Sequence, residues 1–242
     1  MEPQPEIERA LEALVAQLRE AGGANLLGVA LYGGLAKGRF TPGVSDVNVL
    51  IVVAEAGLEP MLLLAPALTA ALRDDGIVPF IVTPEDLRVS ARLFPGKIFD
   101  IQESHRLLWG DVHLAGLRIS AEDLLLRARQ EIKNTELRLR LRAVERSGDP
   151  GALWRGLMAS LPKIAVTLET LVRLKGLSVP PDRPGLLRLA RRELGIPPEQ
   201  IEPFASLHRT DGRPEDSEAR RLYALWLDLL AGLSRRLEES AG

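Results

Sequence analysis

Two glycines, an aspartate and an asparagine carry the most informative spacing in this 242-residue chain. Gly33-Gly34 closes an apolar run that ends at Tyr32. After eleven intervening residues, Asp46-Val47-Asn48 opens a second apolar run that reaches Val53. Glycines let a backbone approach a phosphate closely and offer it N–H groups with no side chain in the way. Side chains two apart on a strand share a face, because the strand period is 2. Asp46 and Asn48 are therefore expected to point together toward whatever the glycine turn holds. This is the layout of a phosphate-handling site at the edge of a sheet, with one departure. An amide stands at position 48, where such a site would want a second carboxylate. Ser45 either hydrogen-bonds locally or touches phosphate. Lys37 and Arg39 lie in the connection, either as solvated loop cations or as phosphate contacts.

The elements that must position these residues are readable from periodicity. Ile7, Leu11, Leu14, Val15 and Leu18 fall on one helical face, and Gly22-Gly23 ends that helix. Leu26 to Tyr32 and Asp46 to Val53 read as strands, Pro60 to Arg73 as a helix, and Ile77 to Val82 as a third strand. Thr83-Pro84-Glu85-Asp86 supplies an N-cap, a proline at the first helical position and acidic residues in the first turn. The helix it opens should run to about Leu93. Lys97 to Gln102 is expected as a fourth strand and Arg106 to Trp109 as a short fifth. Five helices are expected after that: Ser120 to Arg146, Ala152 to Lys175, Pro184 to Leu194, Pro198 to His208 and Glu215 to Glu239. The pattern divides the chain into a mixed α and β part, 1–117, and an all-α part, 118–242.

Gly33-Gly34 followed at this distance by Asp46-Val47-Asn48 resembles the signature of the polymerase-beta-type nucleotidyltransferase superfamily. The stretch Ser104 to Asp111, SHRLLWGD, and the region from Pro79 to Asp100 are similar to bacterial members with a C-terminal helical domain, of the aminoglycoside nucleotidyltransferase kind. The resemblance implies an α+β fold, a small mixed-sheet nucleotidyltransferase domain followed by a helical bundle. It implies a bound nucleoside triphosphate, Mg²⁺ or Mn²⁺, and transfer of a nucleotidyl group to a hydroxyl on a small molecule, a protein or an RNA end. Gly33 and Gly34 would cradle the triphosphate, Asp46 and Asp100 would hold metal, and Asn48 would be a weakened ligand. Glu103 is the second choice for the third acidic position. In such sites paired carboxylates hold two divalent ions about 4 Å apart, one activating the attacking hydroxyl and one neutralising the triphosphate. An amide can offer an oxygen but brings no charge. Losing that charge costs several kcal/mol of transition-state stabilisation, or roughly three decades in rate. The alternative reading is a catalytically degenerate member, a nucleotide sensor or an interaction module such as half of a toxin–antitoxin pair.

Composition narrows the field further. Cysteine is absent, which excludes disulfides and thiolate metal sites and fits a reducing cytoplasm. The N-terminus lacks the basic and apolar regions of a secretory signal, and the longest apolar run falls short of the ~20 residues a membrane span needs. A cytoplasmic protein with no membrane partner is expected; formation of a homodimer is left open. Net charge is −2, yet residues 1–117 carry 9 Lys and Arg against 15 Asp and Glu, while the remainder carries 22 against 18. The acidic first part suits metal better than a polyanion, so direct reading of long nucleic acid is disfavoured. His105, His113 and His208 have no metal-ligand spacing. Arg138, Arg140, Arg142 and Arg146 are read as a solvated helix face paired with Glu136 and Glu145, or as a cleft-facing stripe. Lys163 is a further candidate phosphate contact. Trp154, Tyr223 and Trp226 are read as core.

Overall fold

The structure is a computed structural model that describes residues 5–38, 40, 46–180, 182–207 and 212–239. The chain separates into two compact units, Met1–Ser120 and Ala121–Gly242. No helix among the described residues is long and apolar enough to cross a membrane.

The first unit runs α1 (Pro5–Gly22), β1 (Leu26–Tyr32), β2 (Val47–Val53), α2 (Leu58–Asp75), β3 (Ile77–Val82), α3 (Pro84–Leu93), α4 (Pro95–Glu103) and β4 (Arg106–Gly110). The strands form one mixed sheet of order β3-β2-β1-β4. β1 is antiparallel to both β2 and β4, and β2 is parallel to β3 across the helical crossover α2. Helices cover both faces, and for that reason the central strands are nearly continuous apolar runs. Val29 and Leu31 of β1 and Val47, Val49, Ile51 and Val53 of β2 pack with Leu11, Leu14 and Leu18 of α1 and Leu64 of α2. Ala30 and Tyr32, with Leu50 and Val52, face the other way and pack with Leu87 and Ala91 of α3 and Ile98 and Ile101 of α4. Alternation puts Asn48, directly opposite Tyr32 in the register, on this second face.

The strand expected over Lys97–Gln102 is instead helix α4. The reason is local. Pro95 occupies the first helical position, where its missing N–H is no loss, and Ile98 and Ile101, three apart, are both fully buried on one face. Nine residues satisfy an alternating pattern and a helical one equally well, and the proline decides between them. The sheet therefore has four strands among the described residues, and Arg106–Gly110 is its β4 edge. At the start of α3 the Thr83 hydroxyl accepts from the Asp86 N–H at 3.0 Å while the Asp86 carboxylate accepts from the Thr83 N–H at 2.8 Å. The sequence announces the N-cap, and the structure adds the reciprocal bond that makes it a capping box.

The second unit is all helical: α5 (Ala121–Glu145), α6 (Pro150–Leu174), α7 (Arg183–Leu194), α8 (Pro198–Ile201) and α9 (Asp216–Glu239). Its core gathers Ile132, Leu157, Ile164, Leu168, Phe204, Trp226, Leu229 and Leu233. The helix expected over Pro198–His208 is shorter than the pattern suggests. It stops at Ile201 and passes into a 3₁₀ turn, Glu202–Phe204. Pro203 has no N–H to continue the ladder and its ring crowds the carbonyl four residues back. Trp154, Tyr223 and Trp226 are buried as expected. The Tyr223 hydroxyl donates to the Leu139 carbonyl at 2.7 Å and the Trp226 indole N–H to the Ser160 hydroxyl at 2.8 Å.

Candidate functional site

β1 ends at Tyr32 and the chain turns at Gly33, whose φ of 78° lies in the left-handed region. A Cβ at this position would also stand 3.2 Å from the Asn48 Nδ2 atom. Conformation and space both call for glycine here. The turn closes with the Lys37 N–H donating to the Gly33 carbonyl at 3.1 Å. Asn48, half-buried, sits against the turn and its Nδ2 donates to the Asp46 carbonyl at 3.4 Å. The side chain of Asp46, an exposed residue, is in no hydrogen bond or ion pair among the described residues. Gly33, Asp46 and Asn48 are thus gathered at one end of β1 and β2. Arg39 and Ser45 lie outside the described residues.

Asp100 reaches the same face from α4 and forms an ion pair with Lys37, 63 residues away in the chain. The side chain of Lys37 is only 9% exposed and that of Asp100 22%. Placing both charges out of bulk water makes their pairing obligatory rather than ornamental. Asp100 also acts on Tyr32. Burial, with the negative charge of Asp100 adding to it, pushes the Tyr32 hydroxyl up to about 12. Glu103, on the same helix, is exposed.

A residue that sequence reasoning passed over completes the group. Lys97 stands one helical turn before Asp100, and its ammonium lies 3.4 Å from the centre of the Phe80 ring and 6.0 Å from that of Tyr32. Phe80 and Tyr32 meet edge to face at 6.5 Å. Lys97 is exposed overall, yet desolvation at its head group lowers its pKa below the usual lysine value. Read as a strand, 97 and 100 fall on opposite faces; read as a helix, they share one. The helical reading was the signal that would have found Lys97.

Of the basic candidates on the helices of the second unit, Arg140 and Lys163 are held in ion pairs. Arg140 pairs with Glu136, as does Lys133 at 3.1 Å, and Lys163 pairs with Glu131 at 3.0 Å. His105 hydrogen-bonds the Ile101 carbonyl at 3.0 Å, His113 stands 3.6 Å from the Asp111 carboxylate, and His208 lies outside the described residues.

The donor set can be tested for the divalent ion the resemblance implies. Among the described residues no three His, Asp or Glu side chains converge as a metal shell. At the glycine turn one free carboxylate, one amide turned with its nitrogen inward, and one carboxylate already neutralised by an ammonium are on offer. These residues do not fit a two-cation centre, which needs paired charges to offset two neighbouring dications.

No family model matches the sequence, and no curated protein matches it. The fold, by contrast, has solved counterparts. A crystal structure of a spectinomycin adenyltransferase from Enterococcus faecialis with ATP and spectinomycin superposes with a TM-score of 0.56. The two chains are 11% identical, and the match covers 96% of this chain and 99% of that one. At that identity the likeness is one of fold: an α+β domain with a small mixed sheet, followed by helices.

Proposed function

We propose that this protein binds a nucleoside triphosphate at the Gly33–Gly34 turn, with transfer of the nucleotidyl group strongly suppressed by its own residues. The observation that carries the reading is the convergence of Gly33, Asp46, Asn48 and the Lys37–Asp100 pair at one end of β1 and β2. The turn offers backbone N–H groups and a buried cation, which suit an anion. Among the described residues at the turn, Asp46 is the carboxylate without a hydrogen bond or ion pair, and alone it supplies a single ligand charge. Asn48 removes the second ligand charge, and Lys37 neutralises the third. Such a site keeps the means to bind phosphates while losing the charge that makes an attacking hydroxyl reactive. The spectinomycin adenyltransferase of like fold supports ATP as the first nucleotide to try and a small hydroxylated molecule as the first acceptor.

The test is a titration of ATP, GTP, CTP and UTP followed by transfer from α-labelled nucleotide. At least one nucleotide should bind while native transfer stays near background. Asn48→Asp should raise transfer by about a thousandfold, the reverse of the lost ligand charge. Efficient transfer by the native protein, abolished in Asp46→Ala, would make it a working enzyme instead. Absence of binding to all four nucleotides removes the reading altogether.

A further inference from the structure

Lys37 stands in a singular place. It lies four residues past Gly33, its own N–H closes the glycine turn, and its ammonium is the more buried member of its ion pair. The charge is therefore fixed at the turn, held by a carboxylate on a helix that is itself packed against the sheet through Ile98 and Ile101. Among the described residues at this end of β1 and β2, Asp46 is exposed and Asn48 is neutral. A divalent ion approaching Asp100 would meet an ammonium already in contact with it, and like charges repel most strongly where water is excluded.

Resting on the nucleotide-binding reading above, we infer that Lys37 serves as the site's permanent counter-cation, so that nucleoside triphosphate binds without a divalent metal. The lysine neutralises phosphate charge in the way a bound ion would, and Asp100 is the positioning residue that keeps the ammonium at the turn. Binding under this arrangement is insensitive to chelation, whereas a centre assembled around Mg²⁺ releases its nucleotide when the ion is removed.

The experiment measures the affinity of the full chain for ATP by calorimetry, in excess Mg²⁺ and in excess EDTA. The native protein should show the same affinity in both within about threefold, which is under 1 kcal/mol. Lys37→Gln should bind at least about tenfold more weakly in EDTA than the native protein does, the value of a charge-assisted hydrogen bond to phosphate. Part of that loss should return when Mg²⁺ is added, because the vacated carboxylate of Asp100 becomes able to attract the ion. Should Lys37→Gln fail to fold, the double variant Lys37→Gln/Asp100→Asn, neutral at both positions, gives the same comparison of affinity in EDTA. Native binding that falls more than about tenfold in EDTA overturns the inference and leaves nucleotide binding standing. Lys37→Gln binding like the native protein in both buffers also overturns it. No ATP binding by the native protein in either buffer, with the other three nucleotides equally silent, fells the nucleotide-binding reading and this one together.

Discussion

Each unit of the molecule buries an ion pair, and the two pairs are built in opposite senses. In the helical unit the hidden member is an anion. Glu136 is 1% exposed, while its partners Lys133 and Arg140 keep side-chain exposures of 48% and 55%. Ser234 of α9 donates to the same carboxylate at 3.1 Å, so the group ties α5 to α9. In the sheet unit the hidden member is a cation, Lys37, and the carboxylate Asp100 is the better hydrated partner. A buried carboxylate ringed by solvated cations and a serine is a fastening. Under the proposed function, the buried ammonium beside the glycine turn, held by Asp100, is a charge that meets an anion. Under that reading, similar chemistry serves structure in one region and binding in the other, and the sign of the buried charge differs between them.

The largest effect is expected on removing the exposed partners in the helical unit. Lys133→Ala/Arg140→Ala leaves the Glu136 carboxylate buried with Ser234 as its partner among the described residues and should destabilise by about 3–5 kcal/mol, read by urea denaturation. In the sheet unit the asymmetry reverses. Asp100→Asn should cost about 3 kcal/mol by depriving the buried ammonium of its carboxylate, whereas Lys37→Gln should cost about 1 kcal/mol, since water reaches Asp100 more easily. Lys37→Gln proving the more damaging of those two would reverse the assignment of which charge is the buried one.

A smaller effect is expected at the turn itself. Gly33→Ala places a Cβ at a positive φ and 3.2 Å from Asn48. It should lower stability by about 1–2 kcal/mol and weaken nucleotide binding with it. A neutral substitution would mean that the turn tolerates a side chain and that its glycine is dispensable.

The smallest effect sharpens the contrast spectroscopically, because the chain has two tyrosines, one in each unit. Burial raises both to about 12; the neighbouring charge adds to the rise at Tyr32, where it is Asp100, and opposes it at Tyr223, where it is Arg142. A hydroxyl whose folded pKa exceeds its unfolded value of about 10 favours folding while both states are protonated. That contribution is complete below pH 10 and is lost as pH rises from there through 12. Tyrosinate absorbance in the folded protein should therefore develop only well above pH 10. Asp100→Asn should lower the Tyr32 midpoint and leave that of Tyr223 where it was. Equal movement of both would disconnect Asp100 from Tyr32.

Much of the frame could be read from the sequence, and the reasons are local. β1, β2 and β3 are apolar runs bounded by glycine, proline or acidic residues, and α3 announces itself through Thr83 and Asp86. Gly33, Asp46 and Asn48 lie close in the chain, so their convergence follows from one turn and one strand pairing. The partnership of Lys37 with Asp100 spans 63 residues and depends on α4 crossing the sheet, a matter of tertiary packing that no local pattern encodes. Lys97 is hidden by a local ambiguity instead: on a strand 97 and 100 lie on opposite faces, and on the helix that opens at Pro95 they share one. Pro95 was the discriminating residue there, as Pro203 was for the shortened helix after Pro198.

One side chain adds to the packing of Ile98 and Ile101 in holding the helix that bears Asp100. Gln102, two residues further along α4, donates from a single amide nitrogen to the carbonyls of Leu114 and Leu117, at 3.0 and 3.1 Å. A nine-residue helix has little intrinsic persistence of its own. Rivetted at its far end to the strand of chain that follows β4, it resists sliding along its axis, and the acidic group it bears inherits that registration from a neighbour that performs no chemistry.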